Sequence, residues 1–211
     1  SSDLTVLALA VQNDGMMWVG GDFHVINGSA RPSLGRLHPD GTLDFNFTLW
    51  LQSVFDLAIQ SDGKILVAGS GLMRLGSDGS ADPTFNPGIG QVFSVRLAAD
   101  GKILAQGSFT SVNNQPRAGF CRLFNDPATK ELDPGSAVLP WWRGGSSPEV
   151  WRTTFDYSTN GSSWITLGDG IRIDGGWQAS SLGLPANSSL RARGFVRSEE
   201  HTSELQSPNT I

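Results

Sequence analysis

Leu57-Ala58-Ile59-Gln60-Ser61-Asp62-Gly63-Lys64-Ile65-Leu66-Val67-Ala68-Gly69 is the stretch whose reading decides the fold. Two apolar runs flank Asp62-Gly63. An Asp-Gly pair supplies the positive φ angles of a tight type I′ turn, so the stretch predicts a β-hairpin. Two further copies stand on either side of it. Leu7 to Gly21 turns at Asp14-Gly15, and Ser94 to Gly107 turns at Asp100-Gly101. A hairpin that recurs at a fixed period is the mark of a repeat architecture.

Working outward, each hairpin opens a longer unit. In the first, Gly21-Asp22-Phe23-His24-Val25-Ile26-Asn27-Gly28 follows, then Arg31, a strand at Leu34-Gly35-Arg36-Leu37, a second turn at Pro39-Asp40-Gly41, and Leu43-Asp44-Phe45-Asn46-Phe47. The third copies this with Phe109 to Asn114, Arg117, Phe120-Cys121-Arg122-Leu123 and Leu132-Asp133-Pro134. The second steps from Gly69 almost directly to Leu72-Met73-Arg74-Leu75 and then Ser77-Asp78-Gly79-Ser80-Ala81-Asp82. It lacks the segment around the phenylalanine. That deletion falls between strands, where a loop tolerates a change of length.

The units span about 4–51, 52–90 and 91–135. Each offers about four short strands in roughly 40–50 residues, the size of a propeller blade. The pattern L-A-[VIL]-Q-x-D-G-K-I-L-V-x-G, then G-x-F-x-x-V-N-G, R-x-x-x-x-R-L and D-G-[ST]-x-D, resembles the Delta-60 repeat family, from about Leu4 to Gly135. The resemblance implies a bacterial β-propeller-type repeat of unknown function from large secreted or surface proteins. Closed propellers have about 4–8 blades. Three are therefore expected to continue into blades upstream of Ser1, a position that reads as a cut within the run-in to a strand; the alternative is an open stacked arrangement of the repeats.

Composition agrees with an all-β chain. Of 211 residues only 17% are charged, while glycine (26) and proline (11) supply the turns. The net charge of -5 carries no basic stripe, which argues against a nucleic-acid partner. No stretch reaches the roughly 20 apolar residues of a membrane-spanning helix. Cys121 is the single cysteine, which excludes an intrachain disulfide and a thiolate cluster; between apolar neighbours it reads as a packing residue.

From 138 to 196 the texture changes. Pro140-Trp141-Trp142-Arg143-Gly144-Gly145 is aromatic and turn-rich. Val150–Tyr157, Ser163–Leu167, Ile171–Ile173 and Ser189–Val196 then read as short strands between glycine-rich turns. This predicts a small β-sandwich-like module. Its W-x-R-G-G-x-S-P-E-V-W and L-x-A-R-G-F pattern is similar to the segment that follows Delta-60 arrays. Arg197-Ser198-Glu199-Glu200-His201-Thr202-Ser203-Glu204-Leu205-Gln206-Ser207 resembles the in-frame translation of a common sequencing adapter. Residues 197–211 are therefore expected to be a disordered tail outside the folded region. Without Arg197, Glu199, Glu200 and Glu204 the net charge is -3.

No residue set stands out as catalytic, cofactor-binding or metal-binding. Of the three histidines, His201 lies in the tail, His38 in a turn, and His24 where the third repeat has Thr110. Asp40/Asp44 and Asp78/Asp82 recur at a four-residue spacing around Asp-Gly turns, a pattern open to a weak Ca²⁺ site or to turn-fixing hydrogen bonds. The third repeat has Asn125-Asp126-Pro127 instead, which favours the turn reading. Arg36, Arg74 and Arg122 recur once per repeat, a pattern open to an anion-binding channel lining but expected to pair with carboxylates of the same or next blade, such as Asp44 or Asp82. Five tryptophans crowd the C-terminal module, as core or as a sugar-stacking face. The expectation is an all-β chain: a partial β-propeller of about three blades over 1–137, then the small module. It has no cofactor and works as a non-catalytic binding or scaffolding region of a secreted or cell-surface bacterial protein, with a protein or glycan as ligand. The alternative is the accessory region of a secreted carbohydrate-active enzyme.

Overall fold

The computed structural model describes residues 4–134, 138–180, 184–197 and 202–210. Every element among them is a β-strand. The first sheet contains β1 (Leu4–Val11) and β2 (Met17–Phe23), then, after the small hairpin of β3 (Val25–Ile26) and β4 (Ser29–Ala30), β5 (Leu34–Leu37). Its order is β1-β2-β5, all antiparallel. The second sheet is β6 (Val54–Ile59), β7 (Ile65–Gly69) and β8 (Leu72–Leu75). The third repeats the layout of the first. Here β9 (Val92–Leu97) and β10 (Ile103–Gly107) precede a small hairpin of β11 (Ser111–Val112) and β12 (Gln115–Pro116), and β13 (Phe120–Leu123) completes it. The fourth strand expected in each repeat is reduced to one bridge, Leu37 with Leu43 and Leu75 with Ala81.

These three sheets form one compact unit, and the second lies between the other two. Leu57, Ile59, Ile65, Val67 and Leu75 pack on Ala8, Trp18, Leu34 and Phe47 of the first repeat. Leu66, Ala68 and Leu72, which alternate with them, pack on Val92, Val95, Ile103, Ala105 and Cys121 of the third. The period of two along a strand thus serves two cores, which is why these strands read as continuous apolar runs. The opening strands β1, β6 and β9 lie side by side. This is the blade-on-blade arrangement of a partial propeller.

The Asp-Gly turns differ from the type I′ expectation. Gly63 N–H donates to Gln60 C=O at 2.9 Å and Gln60 N–H to Lys64 C=O at 2.9 Å. Only the glycine is left-handed, with φ 82° at Gly63 and 83° at Gly15. The loop is therefore a three-residue type I turn closed by a glycine bulge. Aspartate stays right-handed because its side chain has work there: Asp62 Oδ1 accepts from Lys64 N–H at 3.1 Å, and Asp14 Oδ1 from Met16 N–H at 3.0 Å.

The glycine that ends the hairpin motif has a separate cause. Each opening strand carries a bulge, between Val6 and Ala8, between Val54 and Asp56, and opposite Gln106/Gly107. There the strand's carbonyl presses on the partner, so a Cβ at Gly21, Gly69 or Gly107 would collide with the oxygen of Thr5, Ser53 or Gln91.

The second compact unit starts at Asp126, earlier than the expected 138, and also takes in residues 99–101. β14 (Ala128–Leu132) belongs here, paired with β15 (Val138–Gly145), and not with the third repeat. Pro127 replaces the turn glycine of the other repeats and cannot take its positive φ, so the fourth-strand bridge is not made. Residues 135–137, at the expected boundary, lie outside the described residues. The remaining strands are β16 (Arg152–Ser158), β17 (Ile165–Asp169), β18 (Ile171–Ile173), β19 (Gly176–Ser180), β20 (Ser189–Arg197) and β21 (Thr202–Thr210). They make two four-stranded antiparallel sheets, β14-β15-β19-β18 and β17-β16-β20-β21. Leu132, Leu139, Trp141, Trp177 and Ala179 of one meet Phe155, Leu190 and Ala192 of the other in a single core, as in a small β-sandwich. The tail expected to be disordered runs over 202–210 as a strand along β20, whose outer edge otherwise presents unpaired backbone groups. Residues 198–201 and 211 lie outside the described residues.

Candidate functional site

The recurrent carboxylates are engaged by their own turns. Asp40 Oδ1 accepts from the Thr42 amide at 2.9 Å and its hydroxyl at 2.6 Å, and Asp78 Oδ1 does the same with Ser80. Asp44 is buried and pairs with Arg36 at 2.5 Å, while its other oxygen accepts from Asn46 N–H. Burial pushes the Asp44 pKa up, but the Asn46 amide and Arg36 outweigh it and the net shift is downward. Asp82 pairs with Arg74 at 2.8 Å and accepts from the Thr84 hydroxyl and amide, which together hold its pKa down at about 2. Asp40 and Asp44 do not converge on a shared point through these contacts, nor do Asp78 and Asp82. Among the described residues no group of three or more His, Cys, Asp or Glu is placed to hold a metal ion.

Arg36 and Arg74 also reach onward along the repeats. Arg36 Nη1 donates to Ser77 C=O at 3.0 Å and Arg74 Nη1 to Asn125 Oδ1 at 2.7 Å. Each arginine therefore ties its own turn and the following blade together, the pairing role expected from the sequence. Gln12 does the same, its amide donating to the carbonyls of Gly63 and Ser77. Cys121 is a buried packing residue whose thiol pKa is raised by that burial. His24 is exposed and His38 half-buried, on the blade edges. In the second unit Trp141 and Trp177 fill the core, whereas Trp142 and Trp151 are exposed. Trp164 stacks with Arg191, whose guanidinium is 4.2 Å from the ring centre. The tryptophans divide between core and surface and do not assemble into one aromatic platform through these contacts.

A cleft of about 420 Å³ opens in the second blade. Leu51, Val67, Leu72, Met73 and Ile89 give it apolar walls. Ser53, Ser70 and Asn86 are its polar side chains, and Gly69, Gly71 and Gly88 expose backbone to it. Its volume falls in the ~300–1,000 Å³ range of small-ligand sites.

Comparison of the three blades explains the cleft. Residues 23–32 of the first and 109–118 of the third have no counterpart in the second, where Ser70 leads directly to Gly71. The point of deletion is otherwise the same in all three. Gly21 N–H donates to Ser33 C=O at 3.0 Å, Gly107 N–H to Gly119 C=O at 3.0 Å and Gly69 N–H to Gly71 C=O at 2.9 Å. In the first and third blades the extra residues form the small hairpin, and its phenylalanine is buried: Phe23 is 1% exposed and Phe109 4%. The β11–β12 hairpin also covers the linker before its blade, since Val112 bridges to Ile89 and Asn113 N–H donates to Pro87 C=O at 3.1 Å. Leu51 is the counterpart of Ile89 one repeat earlier. No hairpin covers it, and it lines the cleft. The deletion is legible in the sequence as a tolerated loop change, whereas the cleft beside it is a property of the folded blades.

Residues 12–47, 60–85 and 98–126 match the family model described as Domain of unknown function (DUF5122) beta-propeller. The three matches fall on the three blades and end at the start of the second unit. No curated protein matches the chain.

Proposed function

We propose, on the premise that the three repeats belong to a β-propeller family of unknown function, that this chain is a non-catalytic binding and scaffolding region whose ligand site is the cleft of the second blade. The observation that carries the proposal is the cleft itself. It is the place where the second blade departs from the other two, and it leaves Leu51, Leu72 and Met73 lining an open groove together with Ser53, Ser70, Asn86 and the backbone of three glycines. Around it the recurrent carboxylates and arginines of the blades are committed to turn and blade-joining bonds, a framework suited to holding loops rigidly. The resemblance of the repeats supports reading such a region as part of a secreted or surface-exposed bacterial protein. The scaffolding half of the reading rests on the outer face of β1. Leu9 and Val11 are 71% and 56% exposed there, while their counterparts Leu57 and Ile59 are covered by the preceding blade. A further blade of the same repeat is the partner that face fits.

The test compares the chain with a variant in which residues 23–32 are copied between Ser70 and Gly71. Both are titrated by calorimetry against a defined panel of neutral oligosaccharides and turn-forming peptides. The proposal expects at least one ligand that binds the chain and not the filled variant. Ligands that bind both equally would place recognition elsewhere and overturn it.

A further inference from the structure

We infer that the cleft of the second blade receives, from a partner protein, a short β-turn hairpin led by a phenylalanine: the element that the first and third blades carry within their own chain. The inference rests on the cleft's being a binding site and names what fills it. Two internal copies show what the space beside a blade of this sequence accepts. In each, the phenylalanine ring is buried, and its carbonyl is held by the residue that re-enters the blade. Ser33 N–H donates to Phe23 C=O at 2.8 Å and Gly119 N–H to Phe109 C=O at 2.9 Å.

The equivalent donor in the second blade is Gly71 N–H. Among the described residues it has no hydrogen-bond partner, although Gly71 C=O makes the same bond to Gly69 as its counterparts make. A backbone donor set beside an apolar cleft is a directional feature, and a peptide carbonyl satisfies it. The walls of the cleft offer a peptide both apolar and polar contacts. They hold five apolar side chains and no ionisable one, with Ser53, Ser70 and Asn86 as the polar side chains. The aromatic ring of the guest would lie against Leu51 and Ile89, the equivalent linker positions, of which Ile89 already meets a hairpin at Val112.

The probe is a cyclised peptide with the sequence of residues 22–33, added to the isotope-labelled full chain and followed by two-dimensional amide NMR. The expected result is saturable shifts centred on the amides of Gly69, Gly71 and Ile89. The same peptide with Phe23→Ala is expected to bind about tenfold more weakly or worse, the loss of a buried aromatic anchor. Absence of saturable shifts at millimolar peptide, shifts mapping away from the cleft, or equal binding by the alanine peptide would each overturn the inference. If an oligosaccharide shifts the cleft amides and the hairpin does not, the hairpin assignment falls while the cleft remains a binding site. If the cleft responds to neither, both fall.

Discussion

Asp82 accepts the Thr84 hydroxyl and amide together with the Arg74 guanidinium, and so keeps its charge well into acid, with a pKa of about 2. A carboxylate whose pKa is lower folded than unfolded adds stability that is fully present above the ordinary value of about 4 and is lost as the pH falls through the folded one. The Asp82→Asn variant should therefore melt lower than the parent at pH 7. The two curves should converge as the pH drops from 4 toward 2, which a pH series of thermal melts will show; a gap independent of pH would contradict the pairing. Two glutamines at equivalent positions make opposite predictions. Gln12 is bonded to two carbonyls of the second blade, so Gln12→Ala should cost about 1 kcal/mol in denaturant unfolding. Gln60 is fully buried with neither amide atom bonded, so Gln60→Met should be neutral or stabilise by up to about 2 kcal/mol. The Arg–Asp pairs were legible in the sequence because Arg36/Asp44 and Arg74/Asp82 repeat one spacing. The Gln12 latch was not, because its partners are 51 and 65 residues away and both are backbone atoms that no residue type announces.

At the scale of the hairpin, the final glycine of each motif is set by a bulge and not by a turn. Gly69→Ala would press a methyl group on the Ser53 carbonyl, with backbone on both sides and little room to relax. Destabilisation of about 1–3 kcal/mol is expected. Phe109 is the buried anchor of the small hairpin in the third blade. Phe109→Ala should cost about 3–5 kcal/mol, since it empties a site shared with Leu66, Ala68 and Leu72. The hairpins, their order and the deletion were all readable, because alternation and Asp-Gly pairs are local signals. The turn type was not, because Asp-Gly serves both a type I′ turn and a glycine bulge, and only the bonds of the preceding glutamine separate them. β14 escaped for another reason. Ala-Thr-Lys-Glu-Leu offers a single fully buried apolar residue, Leu132, and its pairing partner is a strand of the following module.

Across the whole molecule, repetition assigns each position two fates according to whether a neighbour covers it. Leu57→Ala should cost about 2–5 kcal/mol, whereas Leu9→Ala, at the same position one blade earlier, should change stability by less than about 0.5 kcal/mol. The cleft obeys the same logic, as a site that the other blades cover and the second leaves open. The most direct test is calorimetric melting of the chain with residues 23–32 inserted between Ser70 and Gly71. If the second blade is a repeat blade lacking its plug, the inserted hairpin should seat its phenylalanine beside Leu51, and the phenylalanine carbonyl should accept a hydrogen bond from Gly71 N–H. The melting temperature should then rise, by about 2–4 °C for each kcal/mol gained. A melting temperature that falls, with the inserted residues accessible to protease, would show that the cleft is not the vacancy of that hairpin and would contradict the account.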